Sequence, residues 1–185
     1  MTTSPTTTPA VTQWSIDASH SNVEFAVKHL MISTVRGRFA DVQGTVTENE
    51  EDPAKSSISV VINTASIDTR QEQRDAHLRS GDFFDSETFP TMTFVSRKIE
   101  PKGDGEFRVT GDLTIRDITR EVVLAVTSEG RGGDPWGGQR AGFSATAKIN
   151  RSDFNLTWNQ ALEFGGVAVG DEIKISIDAE LVKNA

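Results

Sequence analysis

The stretch most suggestive of chemistry is RDAHLRSGDFFD at residues 74–85. It places His77 among three aspartates, and histidine–carboxylate pairs are common partners in general acid–base catalysis. It also contains the adjacent Phe83 and Phe84, which are too apolar for both to remain in water. Three interpretations are open: a catalytic site, the mouth of a binding pocket, or a structural plug. The phenylalanines, set beside arginines and aspartates that can pair locally, favour a plug or a mouth.

Other catalytic and metal-binding patterns give weaker signals. His20, His29 and His77 stand on separate segments without the spacing of a zinc site, and the chain has no cysteine. No G-x-S-x-G motif marks a nucleophilic serine. The segment GRGGDPWGG at 130–138 lacks the Lys-Ser/Thr end of a phosphate-binding loop, and we interpret it as a hairpin loop. We therefore predict no metal site, no cofactor and no catalytic residue.

Length and charge bound the class of protein. The chain has 185 residues, which fits one domain with a substantial core, and its net charge is −8. A chain this acidic repels nucleic-acid phosphate and anionic membrane surfaces, so we expect no nucleic-acid partner. No segment approaches the ~20 apolar residues of a membrane-spanning helix, although transient contact with a membrane stays open.

The N-terminus differs in composition from the rest of the chain. MTTSPTTTPAVTQ is rich in Thr, Ser and Pro, and we predict a disordered tail over residues 1–13. It has neither the basic region nor the apolar region of a secretory signal, so a cytoplasmic location is expected if the chain is complete. Residues 14–185 are predicted to form one domain, because no linker or internal repeat divides them.

Apolar and polar residues alternate through most of the chain after Trp14. Turn signals such as EPKGDGE at 100–106 separate the alternating segments. The pattern predicts about eight or nine antiparallel strands with one face away from water, closed into a barrel or folded into a sandwich. We predict helical turns only at 82–90 and after His29. Small residues on the inward faces leave volume that side chains or one apolar ligand can fill; they are Gly111, Ala145, Ala147 and Ala179.

Five longer motifs are specific enough to indicate a family. They are WSIDASHSNVEFAVKHLMISTVRGRFADVQGTV at 14–46, SIDTRQEQRDAHLRSGDFFDSETFPTMTF at 66–94, GDLTIRDITREVVL at 111–124, INRSDFNLTWN at 149–159 and VGDEIKISIDAELVK at 169–183. In these motifs and their order the chain resembles the YceI-like family of polyisoprenoid-binding, lipocalin-like proteins. Asp117 and Asn155 stand where the family often has glycine, and both residue types tolerate a left-handed turn.

The resemblance implies an all-β fold: an extended antiparallel β-barrel of about eight strands, with one or two short helices and a long apolar channel. It implies that the channel holds a polyisoprenoid lipid, such as an isoprenoid quinone or a polyprenyl chain, and it supplies no catalytic residue. We therefore predict a non-enzymatic protein that binds, and carries or stores, such a lipid. Exposed edge strands and the resemblance favour a homodimer.

The alternating pattern and the resemblance together predict the residues that contact the ligand. The side chains expected to line the channel are Val23, Phe25, Val27, Phe39, Val60, Ile62, Met92, Phe94, Leu113, Ile115, Leu124, Val126, Phe143, Ala145, Phe164, Ile173 and Ile175. Phe164 adds bulk that would shorten the channel. The candidates for polar groups at its mouth are His29, Arg36, Arg74 and His77.

Two other functions stay open at this point. An enzyme acting on a buried apolar substrate would need His29 or His77 to face the cavity beside a carboxylate. A structural β-protein with a filled core would have no continuous cavity.

Overall fold

The computed structural model of the protein describes residues 10–185, which form a single antiparallel sheet of eleven strands. The strands are β1 (Val11–Ile16), β2 (Asn22–His29), β3 (Ser33–Phe39), β4 (Val42–Asn49), β5 (Ser57–Asn63), β6 (Ile67–Asp68), β7 (Thr91–Gly103), β8 (Glu106–Ile115), β9 (Ile118–Gly133), β10 (Gln139–Asn150) and β11 (Glu172–Lys183). One α-helix, α1 (Glu72–Arg79), follows β6. Single turns of 3-10 helix lie at Ala18–His20, Pro53–Lys55, Thr64–Ser66 and Arg151–Phe154.

The sheet closes into a barrel because β1 pairs with both β4 and β11. Eight strands complete the ring in the order β1-β4-β5-β7-β8-β9-β10-β11, and β2, β3 and β6 extend it from β11. Along β11, Leu181 pairs with Ile16 of β1 and Ile175 pairs with Phe25 of β2. The first two strands therefore act as one long strand interrupted at Ala18–His20, which lengthens the barrel on this side. The predicted all-β antiparallel barrel is confirmed.

The barrel interior follows from the period-two alternation of the sequence. On β8, Val109, Leu113 and Ile115 are buried, while Arg108, the residue before Val109, is exposed. On β11, Ile173 and Ile175 point inward and Lys174 points to solvent. Successive side chains of a strand lie on opposite faces, so this alternation gives every long strand one apolar inner face.

The helix lies before the position predicted for it. Residues 72–79 are helical, whereas 82–90 form a series of turns. The side-chain oxygen of Gln71 accepts a hydrogen bond from the Arg74 backbone N–H at 2.5 Å, which caps the first turn of α1. The prediction of helical turns after His29 is also wrong. The chain there makes a tight hairpin turn, in which Leu30 and Met31 adopt positive φ angles of 51° and 61°.

Three other local predictions are resolved by the structure. Residues 11–13, assigned to the N-terminal tail, belong to β1 and pair with β4; residues 1–9 lie outside the described residues. The loop between β9 and β10 confirms the hairpin predicted for the glycine-rich segment. Asn155 is left-handed as expected, with φ 58°, but in the β8–β9 turn the left-handed residue is Arg116 rather than Asp117.

The two ends of the barrel carry different structural elements. The plugged end carries α1, residues 80–90, the β2–β3 turn and residues 151–171. The polar end carries Trp14, Glu48 and Arg131. Across residues 10–185, the structure contains no helix of the length and apolar character that spanning a bilayer requires.

Candidate ligand-binding cavity

A cavity of about 460 Å³ occupies the interior of the barrel between the two ends. This volume falls in the ~300–1,000 Å³ range typical of small-molecule pockets. Its wall is almost wholly aliphatic and aromatic and is formed by the inner faces of strands all around the ring. A twelve-residue strand such as β11 spans roughly 40 Å at about 3.3 Å per residue, so the enclosed space suits an elongated molecule.

Most of the side chains predicted to line the channel do line the cavity. They are Val23, Phe25, Val27, Phe39, Val60, Ile62, Met92, Phe94, Leu113, Ile115, Leu124, Val126, Phe143, Ala145, Ile173 and Ile175. Their contact with a ligand stays a prediction. The placement of Phe164 is corrected: its side chain is 98 % exposed in the loop after β10, so it neither lines nor shortens the cavity.

Some lining residues were missed because they lie outside the strands, in the helix or in a loop. Leu78 belongs to α1, and Leu156 and Val169 belong to the loop between β10 and β11. Period-two alternation carries no information about such segments. Val46 and Ile16 also line the cavity, and both are ordinary inward strand positions that follow from the same alternation.

The small inward residues contribute unequally to the cavity. Ala145 and Ala179 lie in its wall and leave volume there. At Gly111, by contrast, an added Cβ would come within 2.5 Å of the Phe94 ring, which already fills the space. Gly111 therefore allows a close approach of Phe94 instead of enlarging the cavity.

The RDAHLRSGDFFD stretch closes the plugged end. Phe83 is 7 % exposed and lines the cavity together with Phe84 and Leu78. The Phe84 ring packs edge-on against Phe39, with 5.6 Å between ring centroids. Of the three interpretations of this stretch, the structure shows the plug.

The charged residues of the same stretch hold the plug in place. Asp75 is buried and accepts hydrogen bonds from the backbone N–H and the hydroxyl of Thr69, at 2.9 and 2.5 Å. Arg74 donates to the Thr69 hydroxyl and carbonyl, both at 2.7 Å. Arg79 donates to the Ala65 carbonyl at 2.9 Å. These contacts fasten α1 to the segment that follows β5, which is a structural role.

None of the four candidate mouth residues lines the cavity. Arg74 is engaged with Thr69 as above, and His29 and Arg36 are exposed on β2 and β3. His77 packs edge-on against Phe83 and Trp158, with centroid distances of 5.1 and 4.7 Å, and its Nε2 lies 2.8 Å from a carboxylate oxygen of Asp82. His77 thus supports the plug from its outer side.

A buried arginine organises the loop at the plugged end. Arg151 donates to the carbonyls of Gly170, Leu156 and Trp158, each at 2.8 Å, and to that of Val169 at 3.2 Å. Burial lowers the pKa of its guanidinium, since removal from water disfavours the charged form. Arg151 lies in the cavity wall, but its donors are used by the backbone around it.

The polar end presents an ion pair to the cavity. Arg131 donates through both terminal nitrogens to the Glu48 carboxylate, with Nη1 3.0 Å from Oε2. The Trp14 indole N–H donates to the same oxygen at 2.8 Å, and the Arg131 guanidinium lies over the Trp14 ring at 5.3 Å. The hydrogen bonds from Arg131 hold the pKa of Glu48 below its usual value. No local sequence pattern indicates this group, because its members are far apart in the chain.

An acidic cluster beside the barrel wall is already occupied by an arginine. Asp17, His20 and Glu180 have ligand atoms close enough to hold a metal ion. However, Arg140 Nη1 lies 2.8 Å from Asp17 and 2.5 Å from Glu180. Hydrogen bonding to Asp17 also raises the pKa of His20, which favours the protonated ring. The cluster is an ion-pair network.

Comparison with known proteins agrees with this architecture. The family model described as YceI-like domain matches residues 14–181. Protein YceI of Escherichia coli O157:H7 is 44% identical over 140 residues, which cover 76% of this chain and 73% of that protein. The crystal structure of Burkholderia cenocepacia BcnA superimposes with a TM-score of 0.78 at 28% identity, over 89% of this chain and 98% of that one. A Saccharophagus degradans domain described as polyisoprenoid binding has the same fold, with a TM-score of 0.66 at 14% identity over 91% of this chain and 97% of that one.

Proposed function

Because the chain belongs to the family of YceI-like domains, we propose that its cavity binds a polyisoprenoid lipid and that the protein carries or stores it. The observation that supports this most directly is the cavity of about 460 Å³ with an almost wholly apolar wall. The Saccharophagus degradans neighbour, described as a polyisoprenoid binding domain, points to the same class of ligand.

The energetics favour a carrier. Burial of one CH₂ group stabilises by about 0.8 kcal/mol, so a five-carbon prenyl unit gains roughly 3–4 kcal/mol on leaving water. A long prenyl chain therefore does not leave a membrane unaided. The cavity offers an environment similar to the bilayer core, so transfer between the two is close to neutral in free energy. Such a protein can both load and release its ligand.

The polar groups of the cavity favour an uncharged head group, such as a quinone ring. The two arginines in its wall are both engaged: Arg131 pairs with Glu48, and Arg151 donates to backbone carbonyls. A pyrophosphate would have to displace one of these contacts, since charge-assisted bonds to phosphate need a donor that is not already used. The neutral carbonyl oxygen of a quinone does not need an unused charged donor.

The two alternative functions have less support. The cavity counts against a filled core. The enzyme that we considered needed His29 or His77 to face the cavity, and neither side chain lines it. A cytoplasmic location remains a proposal, which cell fractionation would test.

The proposed function is tested by filling the cavity from within. Ala145 lies in the cavity wall, and its neighbour Ala125, on β9, is exposed on the outer face. Ala145→Phe should remove most binding of a prenyl quinone, because the new ring occupies the ligand's space. Ala125→Phe adds the same ring outside and should bind as the wild type does. Tryptophan fluorescence titration and native mass spectrometry measure the binding.

Urea unfolding of both variants checks that each one folds. Equal quinone binding by a folded Ala145→Phe variant and the wild type would overturn the proposed site. If the wild-type protein binds prenyl pyrophosphate more tightly than a quinone of equal chain length, the proposal of an uncharged head group is wrong, while the proposed binding site stands.

A further inference from the structure

We propose that the protein docks on anionic membranes through the tip of its plugged end and the basic face beside that tip. The tip consists of the β2–β3 turn (residues 30–32) and the small hairpin at 161–167. The basic face consists of Lys28, Arg36, Lys148 and Lys174. The proposal of docking is argued from this surface alone. Only the idea that docking lets the cavity take up a lipid rests on the proposed function.

Large apolar side chains are exposed at both turns of the tip. Ile32 is 82 % exposed and Met31 56 % exposed in the β2–β3 turn, and Phe164 is 98 % exposed in the hairpin. Isolated exposed apolar residues are ordinary on protein surfaces, but a group of them marks an interaction site. Aliphatic and aromatic side chains at a loop tip are suited to the boundary between lipid head groups and acyl chains.

The two turns project in the same direction. The Leu30 N–H donates to the Ala168 carbonyl at 2.8 Å, and the Gly170 N–H donates to the Lys28 carbonyl at 2.9 Å. This antiparallel pairing carries the 161–167 hairpin past the end of β2, alongside the β2–β3 turn. Val27 and Val169, just inside the tip, line the cavity, so the docking surface is continuous with the cavity wall.

The backbone of the β2–β3 turn makes its apolar sequence unusual. Leu30 and Met31 both have positive φ, the conformation for which such turns prefer asparagine and glycine. Apolar residues are thus placed where both the backbone and solvent disfavour them. Fold stability does not account for that choice, whereas insertion into a membrane does.

The basic side chains form a row across four adjacent strands. Lys148 on β10 pairs in register with Lys174 on β11, Lys174 with Ala26 on β2, and Ala26 with Arg36 on β3. Lys28 lies two residues nearer the tip. All four cations are exposed, and none forms an ion pair with any residue in the described part of the chain, 10–185.

This face reverses the charge of the protein as a whole. Four cations outnumber the three exposed carboxylates of the docking surface, Glu24 and Glu172 on the same face and Glu163 in the tip, by 4 − 3 = +1, while the whole chain carries −8. The row lies about 13 Å from the turn along β2, at roughly 3.3 Å per residue. This distance is close to the ~10 Å over which charges interact at 0.1 M salt. An anionic surface repels the rest of this acidic protein but attracts the basic face. The protein should therefore approach such a surface with the basic face toward it.

The test uses vesicles that contain no isoprenoid, so it does not depend on the proposed ligand. Sedimentation with vesicles of 30% phosphatidylglycerol in phosphatidylcholine should show binding that weakens with added salt, and binding to pure phosphatidylcholine should be weaker. The variant Arg36→Gln/Lys174→Gln should lose at least about ten-fold in partitioning, since each basic residue near such a surface contributes roughly five-fold.

The turn offers a variant that separates docking from folding. Leu30→Asn/Met31→Gly supplies the preferred turn residues, so resistance to urea should be retained or raised while vesicle binding falls. Ile32→Ser and Phe164→Ser should also weaken binding. The matched control is Trp136→Ser, which removes an 84 % exposed residue at the opposite end and should leave binding unchanged.

Three results would overturn the proposal. The first is vesicle binding that all the tip and basic-face variants retain. The second is loss of binding in Trp136→Ser alone, which would place docking at the polar end. The third is a wild-type protein that binds no vesicles but self-associates, with the self-association lost in the tip variants. That result would assign the surface to contact with a second copy of the chain. Vesicle binding by a protein that binds no quinone would leave this proposal standing and remove the proposed function.

Discussion

The two ends of the barrel are closed by different kinds of interaction. At the plugged end, Phe83 and Phe84 cover the cavity, and Arg151 holds a loop together through backbone carbonyls. At the polar end, a pair of side chains, Glu48 and Arg131, lies between the cavity and solvent, with side chains 19% and 49% exposed. The first closure is packed into the fold, so opening it requires a segment to move. The second can open by rotation of two side chains, and this makes the polar end the easier place for a head group to sit.

The largest difference between the ends should appear when their arginines are removed. Arg151→Met leaves up to four backbone carbonyls, some of them buried, without a donor, and each unsatisfied buried group costs about 1–3 kcal/mol. We expect a loss of at least about 3 kcal/mol in the free energy of unfolding, measured by urea denaturation. Arg36→Met removes an exposed arginine and should change the free energy of unfolding by less than about 0.5 kcal/mol. Equal stabilities of the two variants would contradict the structural role of Arg151.

The second effect concerns the phenylalanine plug. Phe83→Ala removes a ring that is 7 % exposed, and such substitutions usually cost about 3–5 kcal/mol. We expect the low end of that range, because one side of the ring already faces the cavity and has fewer contacts to lose. The same variant should also release a bound quinone faster. Phe164→Ala, in which the ring is fully exposed, is the matched control for stability and should be near neutral. A Phe83→Ala protein as stable as this control would show that the plug is not packed.

The strands were predictable from sequence because period-two alternation is a local signal. Val109, Leu113 and Ile115 are inward in the structure as the pattern indicates. The helix was misplaced because its sequence, EQRDAHLR, is polar and has no apolar stripe of helical spacing. What stabilises it is Asp75 bound to Thr69, a contact that no helical periodicity reveals.

The cavity wall was more predictable than its polar groups for the same reason. Inward strand positions follow from alternation, but Glu48 and Arg131 are 83 residues apart and meet only because the barrel closes. The candidate mouth residues were chosen because they border apolar strands. Whether such a side chain points in or out is decided by register, and Arg36 points out beside the buried Gly37. The family resemblance did not predict the position of Phe164 correctly, because the loop that contains Phe164 lies outside the barrel wall.

The smallest effect is the pH dependence of the ion pair at the polar end. Hydrogen bonds from Arg131 lower the pKa of Glu48 in the folded protein, so the carboxylate form favours folding. Its contribution is present above the unfolded pKa of a glutamate, about 4.3, and is lost as the pH falls through the lower folded pKa. A pair this exposed is worth about 1 kcal/mol or less. Wild type should therefore exceed Glu48→Gln by up to that amount in the free energy of unfolding at pH 7, and the two curves should meet in strong acid.

Subtraction of the two pH profiles isolates the pair, because every other titrating group is common to both proteins. The other carboxylates with a lowered pKa, Asp17, Asp68, Glu100 and Asp134, change both curves equally and cancel. Arg131→Gln removes the cation instead and should reduce the same pH-dependent difference to the part that comes from the Trp14 indole N–H, which also lowers the pKa of Glu48. Urea unfolding of the three proteins between pH 3 and pH 7 measures the effect. A wild-type curve that stays parallel to the Glu48→Gln curve across this range would mean that the pair does not stabilise the polar end, and the contrast between the two ends would then rest on the plug alone.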